Sequence, residues 1–131
     1  MGDAQRLSPE EQIRQAREAF DGGQDFTIAV EEEFALLDSE TLELTNRFEE
    51  LKAAAAGTEL DEHVVGELIA SEIEVKTGRC PTFAEAAELM AVRRAQLAEL
   101  ADRFDVALAS TGTHPWSRWQ DQRIIDTPHY L

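Results

Sequence analysis

Phe26-Thr27-Ile28-Ala29-Val30-Glu31-Glu32-Glu33-Phe34 is the stretch on which the reading of this chain turns. Its β-branched and aromatic residues predict a strand from about Phe26 to Leu37. Side chains alternate faces along a strand, so Phe26, Ile28, Val30, Phe34 and Leu36 line one face, interrupted by Glu32. The other face carries Thr27, Ala29, Glu31, Glu33 and Ala35, small residues around two acids, which leaves room above a sheet for a ligand. A second run, Ile69-Ala70-Ser71-Glu72-Ile73-Glu74-Val75-Lys76, places Glu72 and Glu74 together in the same way. An unpaired buried carboxylate is costly, and two such pairs inside apolar strands call for a cation. Hard divalent ions with oxygen ligands, Mg²⁺ above all, are the natural candidates. The competing reading is a solvated sheet face with surface acids. Glu32 is awkward under both, and a bulge or a strand end would accommodate it.

Composition narrows the functional classes. The 131 residues are one domain at most, with 43% hydrophobic content for a core. Lys and Arg total 12 against 27 Asp and Glu, a formal charge of −15. That argues against nucleic acid or an anionic membrane as a partner through a basic surface. A single cysteine, Cys80, excludes an intrachain disulfide and fits a reducing compartment. Residues 1–20 are charged throughout, and no run approaches a membrane span, so the expectation is a cytoplasmic protein.

Residues 1–24 form a predicted helical extension and 25–131 the main domain. Ser8, Pro9 and Glu11 open a helix that should end near Asp21-Gly22-Gly23. After the first strand, Asp38–Thr41 reads as a turn and Leu42-Glu43-Leu44 as a short return strand. A helix from about Arg47 to Ala56 stops at Gly57, and residues 60–68 read as a short helix or an irregular approach to the second strand. Thr82 and Glu85 cap the longest helix, which runs to about Phe104. Its apolar stripe of Phe83, Ala86, Ala87, Met90, Leu97, Leu100 and Phe104 reads as core, with Arg93 and Arg94 beside it. A third strand, Val106 to Ser110, leads into Thr111-Gly112-Thr113-His114-Pro115-Trp116.

These residues resemble a known family. Thr27 to Phe34 looks like the T-I-G-V-E-E-E-F signature of the type 2 glutamate–cysteine ligases, or carboxylate–amine ligases. Glu67-Leu68 with Ser71, Glu74 and Thr77-Gly78 resembles the family's E-L-x-x-S-x-x-E-x-x-T-G segment. The long helix with paired arginines matches the next element. Gly112 to Trp116 and Trp119 to Gln122 look like its G-T-H-P-F and W-Q-D-Q motifs. The chain departs from the pattern at Ala29, where the family has glycine, and at His129 before Tyr130, where it has arginine. Family members are also much longer, so the resemblance covers the N-terminal part of a catalytic domain.

The resemblance implies an α+β fold like part of the glutamine synthetase catalytic domain, a curved, mainly antiparallel sheet with helices on one face. It further implies Mg²⁺ (or Mn²⁺) held by Glu31, Glu33 and Glu74, with Glu67 a further ligand and ATP as co-substrate. Glutamate and an amino-acid amine, with cysteine the family's acceptor, would be the other small-molecule substrates. Glu72 lies on the correct face at a position that the family motif does not specify, and so ranks lower. His114 is a candidate substrate or phosphate contact, or a residue that pins its turn. Arg123 is the local candidate for an anion contact, or an ion-pair partner of Asp121 or Asp126. Trp116 and Trp119 would pack the wall of the site, and Lys76 would face Glu72 and Glu74. Three readings stand: the ligase, a non-catalytic metal-binding module or subunit that completes a partner chain, and an acidic structural domain. A partial sheet with open edges predicts self-association or pairing with a missing C-terminal portion.

Overall fold

A computed structural model describes residues 7–127. His129 and Tyr130, where the chain departs from the ligase pattern, lie outside the described residues. The fold is α+β. It comprises helix α1 (Pro9–Asp21), strand β1 (Glu31–Asp38), helix α2 (Phe48–Ala55), strand β2 (Val64–Val65), strand β3 (Glu72–Lys76), helix α3 (Phe83–Asp102) and strand β4 (Val106–Ala109). The four strands form an open sheet in the order β2-β3-β1-β4, and every pairing is antiparallel.

Strand β1 is central and its two faces differ. Phe34 and Leu36 point to the same side as Ile73 and Val75 of β3 and join one core with Phe48 and Leu51 of α2 and Met90, Leu97 and Leu100 of α3. Both helices therefore cover this face. Thr82 caps α3 by accepting a hydrogen bond from the Glu85 backbone N–H at 3.2 Å, as the capping signal predicts. Ser8 does the same for α1 through the Glu11 N–H.

Several boundaries depart from the sequence reading. The first strand begins at Glu31; upstream, only a bridge from Ile28 to Cys80 continues the pairing. Phe26 is 99% exposed with φ +60°, so it stands outside the core face. The second strand begins at Glu72, because residues 69–71 turn toward the C-terminal segment and bridge Ile69 to Ile124. Residues 61–63 form a 3-10 turn that feeds β2, and the return strand at Leu42–Leu44 reduces to one bridge between Leu44 and Leu37. Phe83 lies on the surface at 79% exposure, whereas Ala86 and Met90 of the same predicted stripe are buried.

Glu32 is accommodated by neither a bulge nor a strand end. It lies on the helix-covered face and pairs with Arg94 of α3, whose Nη1 is 3.3 Å from its carboxylate. The Arg94 guanidinium also lies over the Phe34 ring, 5.7 Å from its centroid.

Thr77 and Gly66 set where the acidic strands start. Thr77, buried just after β3, accepts a hydrogen bond from the Val30 N–H through Oγ1 at 3.1 Å and donates to Gly78 O at 2.7 Å. Its own N–H donates to Val30 O at 2.9 Å. These bonds lock the entry to β1 against the exit from β3. At Gly66 an added Cβ would meet the Phe48 ring at 2.5 Å and Ile125 Cδ1 at 2.6 Å, so only glycine lets the chain pass to Glu67.

Leu36, fully buried on β1, should lose about 2–5 kcal/mol of stability as Leu36→Ala, whereas Phe26→Ala should stay within about 0.5 kcal/mol. Urea unfolding of the two variants measures both; equal losses would contradict the strand start at Glu31.

Candidate metal centre

The pairing register of β1 and β3 assembles the site. Glu31 lies opposite Lys76, Glu33 opposite Glu74, and Ala35 opposite Glu72. These positions all project from the face that α2 and α3 leave uncovered. Ala35 contributes only a methyl group, which leaves space beside Glu72. On the far side of β3, Val65 lies opposite Glu74, and the chain then continues through Gly66 to Glu67. Glu31, Glu33, Glu67, Glu72 and Glu74 are thereby brought to one place by β1, β3 and the end of β2.

Their electrostatics reflect crowding. Partial burial pushes Glu72 up from the ordinary value of 4.5 to about 7, and the charge of Glu33, a hydrogen bond shared with Glu33 and the charge of Glu67 add to the shift. Glu74 is also raised, first by burial, then by the charges of Glu31 and Glu67 and a hydrogen bond with Glu67; Lys76 opposes the shift. Lys76 thus acts on Glu74, in line with its expected place, but it does not offset the surrounding acids. Glu72, ranked low from its sequence context, emerges as a central member of the group. Strand alternation alone had already put it on this face.

The donors are all carboxylate oxygens, which is the chemistry hard divalent cations select. Among the described residues, however, no three His, Cys, Asp or Glu side chains converge closely enough to hold a metal ion as they stand. The backbone gathers the acids on one face, and closing them on an ion requires rotation about their side-chain bonds.

The other candidates sit apart from this cluster. His114 lies in the loop after β4, where Nε2 donates to Leu42 O at 2.8 Å and Nδ1 accepts the Ser117 N–H at 3.0 Å. Both ring nitrogens therefore tie the loop together, and the ring meets Trp116 edge-on at 4.8 Å. Trp116 and Trp119 are 56% and 79% exposed, so they do not pack a wall among the described residues. Arg123 forms a two-pronged ion pair with Glu49 of α2, both N–O distances being 2.7 Å, rather than with Asp121 or Asp126. That bond holds the Glu49 carboxyl below its usual range. Arg123 also donates its N–H to Asn46 Oδ1 and accepts the Ala70 N–H, which fastens it to the segment entering β3. No hydrogen bond or ion pair joins it to the five glutamates among the described residues. Cys80 is buried and unpaired, and no helix there is long and apolar enough to cross a membrane.

Comparison with known proteins follows the same segments. The family model described as "Glutamate-cysteine ligase family 2(GCS2)" matches residues 27–131. "Putative glutamate--cysteine ligase 2-2" of Rubrobacter xylanophilus is 42% identical over 114 residues, which cover 86% of this chain and 29% of that protein. "Putative glutamate--cysteine ligase 2" of Jannaschia sp. is 38% identical over 105 residues, 80% of this chain and 28% of that protein. "Putative glutamate--cysteine ligase 2" of Corynebacterium jeikeium is 38% identical over 104 residues, 79% and 26% respectively. The chain thus spans less than a third of the length of these relatives. No solved structure matches it.

The raised Glu72 makes a signed prediction. In the folded chain its charged form is disfavoured, so stability should fall as pH rises from about 4.5 to about 7. Glu72→Gln should therefore raise stability at pH 8 by about 1 kcal/mol, after allowance for solvent screening, and change little at pH 4. Urea unfolding in a chelator at both pH values measures this; a variant less stable than the parent at pH 8 would contradict the crowding.

Proposed function

The chain belongs to glutamate–cysteine ligase family 2, and from that membership we propose that it is the metal-binding part of an ATP- and Mg²⁺-dependent carboxylate–amine ligase. The observation that carries the proposal is the β1–β3 register, which sets Glu33 opposite Glu74 on the uncovered face and adds Glu31, Glu67 and Glu72 around them. Lys76 is the one basic residue that the register places among them. An added cation is the simplest means of neutralising the group.

In the proposed reaction a γ-carboxylate oxygen of glutamate attacks the terminal phosphorus of ATP, and the bond to ADP breaks. The cysteine amine then attacks the activated acyl carbon, phosphate departs with the carboxylate oxygen, and the amine nitrogen loses its proton. Bound Mg²⁺ supplies charge neutralisation where a carboxylate and a polyphosphate meet. The chain's own contribution is placement. Glu31, Glu33, Glu67 and Glu74 hold the ion, and the Thr77–Val30 bonds set the strand from which two of them project. His114 orders the loop after β4 and Arg123 anchors the start of β3; each would meet substrate only by exchanging its present partner. The glutamine synthetase-like architecture belongs to the same proposal.

A second reading is favoured by the length of the chain relative to its relatives. Here the segment is a metal-binding half-site that needs the remaining polypeptide, or a partner chain, for turnover.

Mn²⁺ binding by this chain, followed by electron paramagnetic resonance, tests the centre. Glu31→Gln and Glu74→Gln should each weaken binding by about tenfold or more. Unchanged affinity in both variants would sink the metal reading. ADP release with ATP, Mg²⁺, glutamate and cysteine then separates the two functional readings. Turnover lost in Glu31→Gln supports a self-sufficient ligase, and metal binding without turnover supports the half-site.

A further inference from the structure

Helix α1 has no partner in its own chain, since none of its residues is buried. Its side chains are nevertheless sorted. Arg14 pairs with Glu11 and Glu18 on one side. Ile13, Ala16 and Phe20, spaced i, i+3 and i+7, share the other, and Ile13 and Phe20 are 57% and 85% exposed. A helix of 13 residues is marginal alone in water, so this stripe is where its stabilisation has to come from. The family match begins only at residue 27, which makes α1 an addition to the shared framework.

A complementary surface lies on α3. A groove of about 560 Å³ is lined by Val30, Phe83, Ala86, Ala87, Met90 and Arg94. Phe83 is largely bare, and the alanines allow a second helix to approach closely. Charge agrees as well. Arg17 flanks the α1 stripe and makes no ion pair among the described residues, while Glu85 and Glu88 lie exposed beside Leu89 on α3.

We propose that the Ile13–Ala16–Phe20 stripe docks into the α3 groove of a second copy of this chain. Two such arms exchange reciprocally in a two-fold dimer. Within one chain both surfaces stand open, and a single two-fold operation fills both in each copy. Arg17 then faces Glu88 of the other copy across the rim of the groove.

Light scattering on the whole chain over a range of concentrations is the test. The expected result is a dimer whose dissociation constant rises about tenfold or more in Phe20→Ser and in Ala87→Glu. Arg17→Glu should also weaken it, and Arg17→Glu with Glu88→Arg should restore it. Phe20 touches nothing in its own chain, so its loss leaves the domain folded, which circular dichroism verifies. A monomer at every concentration would overturn the proposal, whether the groove stays open or takes up its own α1. A dimer indifferent to both Phe20→Ser and Ala87→Glu would overturn it too, and would point to another face of the chain.

Discussion

The antiparallel register that sets Glu33 opposite Glu74 is the constraint on which the rest of this structure depends. A slip of one residue between β1 and β3 would turn one strand's acids into the core and its apolar residues into solvent. Both faces enforce the register. On the covered side, Phe34 faces Ile73 inside a core shared with α2 and α3. At the strand ends, the Thr77 hydroxyl and backbone clamp Val30, so Glu31 enters the sheet at a defined place. The core therefore fixes which way the carboxylates point.

Acids on the two sides of β1 meet opposite fates. Glu32 falls on the covered side, and α3 supplies Arg94 to neutralise it and to stack on Phe34. On the uncovered side five glutamates have Lys76 alone nearby, and the cost is visible in the raised Glu72 and Glu74. Both solutions lie within a few residues of each other, so an arginine was structurally available as a remedy. An uncompensated cluster next to a compensated acid is what a face reserved for a cation would look like. Under that reading the apo chain gives up some stability at neutral pH, which a bound ion would return.

What the sequence made legible was mostly local. The capping residues Ser8 and Thr82 are set by bonds three residues long, and both form as their spacing implies. Strand parity alone correctly grouped Glu31 with Glu33 and Glu72 with Glu74. The start of β1 was not legible, because Phe26 and Ile28 continue the apolar alternation while β3 has already ended at Lys76. Phe83 has a core residue's spacing, but the sheet ends before it reaches that turn of α3. The Arg123–Glu49 pair joins residues 74 positions apart, and neighbouring aspartates offered nearer candidates. The same distance problem hid the Glu32–Arg94 pair, whose two members were each noted separately. Local chemistry was readable, and long-range pairing was readable only where strand alternation forced it.

The strand order gives the site its independence from what lies beyond this segment. Because the order is β2-β3-β1-β4, the acid-bearing strands are the two inner ones, flanked by a two-residue edge at β2 and a four-residue edge at β4. Further polypeptide could extend the sheet at either edge through backbone hydrogen bonds without disturbing the Glu33–Glu74 pairing. A ligand, by contrast, has to approach from above the uncovered face, where both inner strands present their carboxylates. The metal-binding chemistry proposed here would thus be carried by a register already complete in these residues. Substrate choice would fall to whatever closes over the face. That division matches the relatives, which share these strands over less than a third of their own length and devote the remainder to sequence not represented here.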